Sequence, residues 1–117
     1  MVFESPECEE EDLAQLRLRL RAFAHARDWH RYHGPKNLAI SLAIEAGELL
    51  ECFQWLTDEQ ARKLKDAPAK VDQIRGELAD VLIYLIHLAD VLDIDLLSAV
   101  QQKIKVNERR YPPKRTK

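Results

Sequence analysis

The stretch NLAISLAIEAGELLECFQW, residues 37–55, decides the fold. Leu38, Ile40, Leu42, Ile44, Leu49, Leu50 and Phe53 place apolar side chains around most of a helix, with no proline to interrupt it. One narrow stripe differs. Asn37, Ser41, Glu45, Glu48, Cys52 and Trp55 follow at steps of 4, 4, 3, 4 and 3, so they share a face. A helix apolar on most sides is expected to be buried, and this one carries two glutamates inward.

The pattern repeats downstream. Over 71–92, Ile74, Leu78, Val81, Leu82, Leu85, Ile86 and Leu88 are apolar, while Glu77, Asp80, Tyr84 and His87 form a second stripe at steps of 3, 4 and 3. Outward from these two helices, Leu13, Leu16, Leu20, Phe23 and Ala24 predict an amphipathic helix over about 9–28. WHRYHGPK (29–36) reads as a loop, because Gly34-Pro35 stops a helix. Residues 56–70 read as a polar connection with one short helix after Thr57-Asp58. Asp95 is a candidate N-cap for a last helix over 96–109, ended by Pro112-Pro113. Four main helices predict an all-α four-helix bundle. A single domain over 1–117 is expected, with flexible ends at about 1–9 and 113–117.

Composition narrows the function classes. At 117 residues there is room for one domain, and a net charge of −2 favours neither nucleic acid nor membrane as partner. Six acids between Glu4 and Asp12, and seven bases between Lys103 and Lys117, read as solvated ends. No apolar run approaches the roughly 20 residues of a membrane span. Cys8 and Cys52 form no CxxC pair, and with no signal-peptide pattern they suggest a reducing cytoplasm. So small a chain buries only about two-thirds of its unfolded surface. Helices this apolar therefore predict a homo-oligomer whose bundle a second copy completes.

Bringing the two stripes together gathers Glu45, Glu48, Glu77 and Asp80. Four carboxylates at close range repel, and burial is costly unless something compensates. Hard oxygen donors without a histidine pair suit Mg²⁺ or Mn²⁺, and magnesium commonly binds substrate phosphates as well. A di-iron bundle would want Glu-x-x-His on two helices; here Glu48 follows Glu45 and Asp80 follows Glu77 at that spacing. Gly47 and Gly76 beside these acids predict either a close approach of backbone or ligand, or a helix-packing notch. The rival readings are a non-catalytic helical oligomerisation or regulatory module, and a metal-dependent hydrolase releasing orthophosphate.

EAGELLECFQW (45–55) and GELADVLIYL (76–85) resemble the ExxE…ExxD signature of the all-α NTP pyrophosphatases, the MazG-like superfamily. RDWHRYHGPKNLAISLAIEAGELLECFQW (27–55) and KVNERRYP (105–112) are most similar to the dCTP pyrophosphatases within it. The resemblance implies Mg²⁺ on Glu45, Glu48, Glu77 and Asp80, and cleavage of a nucleoside triphosphate, dCTP or a modified dCTP, to the monophosphate and pyrophosphate. It implies Trp29 and Trp55 at the base, with His33 and Asn37 in the same substrate-side segment. Tyr84, Lys103, Asn107, Arg110 and Tyr111 match the part that handles phosphate and sugar. Glu48, or failing it Glu45, is the candidate base for the attacking water. A tetramer built as a dimer of dimers is implied too. Animal dCTP pyrophosphatases carry a histidine in the first helix near the base, where Leu20 stands here.

Overall fold

A computed structural model describes residues 10–114. The expected flexible stretch 1–9, and 115–117 of the other end, lie outside those residues. Among the described residues the secondary structure is helical and contains no strand. α1 spans Leu13–Ala26, α2 Pro35–Glu51, α3 Asp58–Arg62, α4 Pro68–Val91 and α5 Leu96–Arg110, with short 3₁₀ turns at Trp29–Tyr32 and Leu64–Asp66.

Local chemistry sets most boundaries. The Gln15 amide donates to Asp12 Oδ1 at 2.8 Å and the Asp12 amide to Gln15 Oε1 at 2.7 Å, a capping box that starts α1. Thr57 and Gln60 build the same device for α3. The Ser98 amide donates to Asp95 Oδ1 at 3.0 Å, as the sequence predicts for α5. Both α2 and α4 begin on a proline, whose missing N–H is no loss in a first turn. That places their starts two and three residues earlier than the apolar pattern suggests. α4 closes with the Ile94 amide bonded to Ala89 O (2.8 Å) and that of Asp93 to Asp90 O (3.1 Å). Asp93 takes a left-handed φ of 55° there, a place usually held by glycine.

α2 ends at Glu51, not at residue 55, and residues 52–55 form turns. The stripe expected to continue to Trp55 therefore breaks at the helix end.

α4 is the spine, with α2 packed along it and α1 against it. Leu38, Ala24, Ile86 and Ala89 are the buried apolar residues among those described. Arg21 clamps α1 to α4 through Asp90, with Nε at 3.0 Å and Nη2 at 2.5 Å from its carboxylate oxygens, and Arg17 Nε stands 3.7 Å away. The hydrogen bond from Arg21, ahead of the cost of burial, holds the Asp90 carboxyl below its ordinary value. A lowered pKa means stability present above the ordinary value of 3.8 and lost as pH falls through the folded one. Asp90→Asn is expected to lower stability by about 2 kcal/mol, the scale of charge-assisted hydrogen bonds. Its thermal melts should show a flattened acid limb; an unchanged melting temperature would remove the clamp.

α5 has no buried residue. Leu97, Val100 and Ile104 on it, Ile40, Ile44 and Leu50 on α2, and Leu78 and Leu82 on α4 are all exposed. The radius of gyration is 17.4 Å, against roughly 13 Å for a self-contained domain of this length. The expected bundle is thus not closed around α5 within one chain, because no further described element covers these faces. Nothing lies within 4 Å of a Cβ built at Gly47 or Gly76, so neither is a close-approach position within the chain. No helix among the described residues is long and apolar enough to cross a membrane.

Candidate active site

Packing α2 along α4 joins the two polar stripes. Glu45, Glu48 and Glu77 each offer a carboxylate oxygen, and the three atoms lie within 4.8 Å of one another. Asp80 stays outside that triad, although its charge acts on both Glu45 and Glu77.

The electrostatics are those of crowded acids. Burial, then a hydrogen bond with Glu48 and the charges of Glu48, Asp80 and Glu77, push the Glu45 carboxyl above its ordinary value. Burial, then the charges of Glu48 and Asp80, push Glu77 up as well, and Glu51 adds to this. Glu51 was not among the residues singled out from sequence, although it follows Glu48 by three and so belongs to its neighbourhood. Among the described residues none of the four expected ligands forms an ion pair with lysine or arginine. Glu45 Oε2 and Glu77 Oε2 are enclosed and accept no hydrogen bond from the described residues. Enclosed carboxylate oxygens without a donor are strongly unfavourable unless a cation supplies the missing partner. Donor type and unmet oxygens both fit a hard divalent ion.

Beside the acids opens a cleft of about 340 Å³, within the range of small-molecule sites. Glu45 and Asp80 form its acidic side. Trp29, half exposed, meets Phe23 edge to face with ring centroids 5.6 Å apart. His33 and His87 meet likewise at 4.7 Å, and Tyr84, Leu20 and Ile83 complete the lining. A second hollow, of about 250 Å³ between α1, α4 and the start of α5, holds no comparable cluster of acids.

Of the residues expected around a substrate, Trp29, His33 and Tyr84 are in the cleft. Asn37 is not; its Nδ2 donates to Tyr32 O at 3.3 Å and ties the 3₁₀ turn to α2. Trp55 is 86 % exposed beyond the end of α2. Lys103, Asn107 and Arg110 on α5, and Tyr111 just after it, are exposed and do not line the cleft. Phe23 follows the apolar spacing that marks core, which does not distinguish a core position from a cleft wall; Ile83, three after Asp80 and four before His87, shares the face of the second polar stripe.

The MazG-like family matches residues 40–117. Human dCTP pyrophosphatase 1 is 44 % identical over 108 residues, which is 92 % of this chain and 62 % of that protein. The mouse protein of the same name is 42 % identical over the same shares. This chain therefore spans under two-thirds of the length of these curated relatives. The crystal structure of a pyrophosphatase from Archaeoglobus fulgidus superposes with a TM-score of 0.77 at 42 % identity, covering 92 % of this chain and 98 % of that one. The chain belongs to the MazG-like family. The particular relatives it is similar to are dCTP pyrophosphatases and an archaeal pyrophosphatase.

Proposed function

We propose that this protein is a Mg²⁺-dependent nucleoside triphosphate pyrophosphohydrolase that cleaves dCTP or a modified dCTP between the α and β phosphates. The observation that carries the reading is the meeting of Glu45, Glu48 and Glu77 beside a cleft that Glu45 itself lines, with two enclosed oxygens that find no donor among the described residues. The names of its relatives, dCTP pyrophosphatase 1 and pyrophosphatase, support the reaction and the base.

Glu45, Glu48, Glu77 and Asp80 would hold the ion. A bound divalent cation neutralises phosphate charge and polarises the phosphorus under attack. Glu48 is the most exposed member of the triad, and its carboxyl acts on both Glu45 and Glu77. It orients the attacking water and takes its proton. Trp29 stacks on the base, Tyr84 flanks the sugar, and His33 stands at the base end. Trp55, Asn37, Lys103, Asn107, Arg110 and Tyr111 complete the site from a neighbouring copy or after local rearrangement. The apolar faces left open on α2, α4 and α5 support a homo-oligomer, a dimer of dimers being the arrangement we favour. The cytoplasm is the implied compartment, and nucleotide pool balance or sanitation the role.

The test is a panel of standard and C5-modified dNTPs and NTPs with Mg²⁺, scoring pyrophosphate against orthophosphate. Pyrophosphate release, fastest from a cytosine deoxynucleotide, is the expected result. Orthophosphate alone would defeat the reaction; preference for a purine triphosphate would defeat only the base assignment.

A further inference from the structure

We propose that His87 is the specificity-determining residue of the cleft, reading the edge of the bound base by a hydrogen bond from its imidazole. The inference rests on the nucleotide reading above and names a residue that reading leaves without a role.

Buried polar groups are nearly always hydrogen-bonded, so an exception asks for an explanation. His87 is only 8 % exposed and lines the same cleft as Glu45 and Asp80. Its one ring partner is His33, edge to face, and among the described residues neither of its nitrogens is hydrogen-bonded to protein. Neither nitrogen is fully enclosed, and the ring lines the cleft. Leu20, Phe23 and Ile83, which line the cleft with it, offer no side-chain donor or acceptor.

The ring's chemistry suits a base better than a phosphate. Burial first, then the neighbouring His33, hold His87 below the ordinary histidine value, against the opposing pull of Asp90. Burial and His30 lower His33 in the same direction. A neutral imidazole carries one donor and one acceptor, the complement of a base edge rather than of an anion. His87 follows Asp80 by seven residues on α4, which is ~10 Å along the helix. That separates it from the acids by about the size of a nucleoside.

Stacking on Trp29 and Phe23 accepts any base, because every base has a π-face. Apolar contacts discriminate weakly, whereas a site built to hydrogen-bond a substrate group rejects analogues that lack it. Selectivity in this cleft therefore falls to its buried polar atoms.

Steady-state kinetics of the full chain with Mg²⁺ on the four dNTPs, for wild type, His87→Ala and His87→Gln, test this. For His87→Ala, KM for the preferred dNTP should rise about tenfold, kcat stay within about twofold, and the preference over the next dNTP fall about tenfold. His87→Gln, which keeps a donor and an acceptor, should recover part of that preference. Unchanged discrimination in His87→Ala would overturn the proposal, as would a uniform loss of kcat and melting temperature across all dNTPs. A wild type that releases no pyrophosphate from any dNTP would remove the nucleotide reading itself, and this inference with it. Should both variants fail to fold, ¹⁵N-histidine NMR of the wild type with the α,β-imido analogue of its preferred dNTP decides. A shift of the His87 ring nitrogens supports the contact and their indifference overturns it.

Discussion

Glu45→Gln is expected to lower kcat/KM by on the order of 10³-fold, the size of losing several kcal/mol of metal-derived stabilisation of charge at phosphorus. The same substitution is expected to raise the melting temperature of the metal-free protein. The two signs come from one geometry. Glu45 is pushed towards its neutral form by burial and by three neighbouring acids, so its charge opposes folding while no cation is present. Glutamine removes that charge at nearly constant volume, and its amide can donate to the neighbouring carboxylates. Asp80→Asn should cost similar activity if Asp80 closes on the ion from its flanking position. Assays beside thermal melts in EDTA separate the readings. Full activity in Glu45→Gln would end the metal assignment, and joint loss of activity and stability would make the residue structural.

What was legible in the sequence, and what was not, divides on physical lines. Local signals read well: Asp95 as a cap, the start of α3 at Thr57-Asp58, and the facing stripes that bring Glu45 and Glu48 to Glu77 all follow from short-range spacing. The failures are of three kinds. Periodicity carried α2 through to Trp55, yet nothing in a side-chain pattern says where backbone hydrogen bonds stop, and the helix ends at Glu51. Packing beyond the chain is the second. Lys103, Asn107 and Arg110 sit on a helix with no buried residue, so their relation to the cleft is not decided by this chain's own contacts. Gly47 and Gly76 belong to the same class, because nothing lies within 4 Å of a Cβ at either and this chain's own packing does not account for them. Functional apolar residues are the third: Phe23 follows the rule for core, and only a tertiary contact turns one face of it into a wall of the cleft.

Mg²⁺ is expected to stabilise the wild type by about 2.7 kcal/mol at one hundred times its dissociation constant, by mass action on the folded state alone. For a chain of this size that is a rise in melting temperature of roughly 10 °C. Its dependence on pH is the sharper test. Glu45 and Glu77 have raised values in the folded, metal-free protein, so the folded state binds protons more tightly than the unfolded one there. Their contribution is favourable below the ordinary value of 4.5 and is lost as pH rises through the folded values. The ion needs the deprotonated carboxylates, so its own contribution grows over the same interval. The gap between melts with Mg²⁺ and with EDTA should therefore widen as pH is raised from mildly acidic to neutral. Asp90 works in the opposite sense below its ordinary value of 3.8 and leaves this window undisturbed. A control in Glu45→Gln should narrow the gap at every pH, because the variant has lost both the repulsion and a ligand. A wild type whose melting ignores Mg²⁺ across the whole range would mean that crowding without a cation is the resting state of these acids, and a nucleotide-cleaving site could not be built on them.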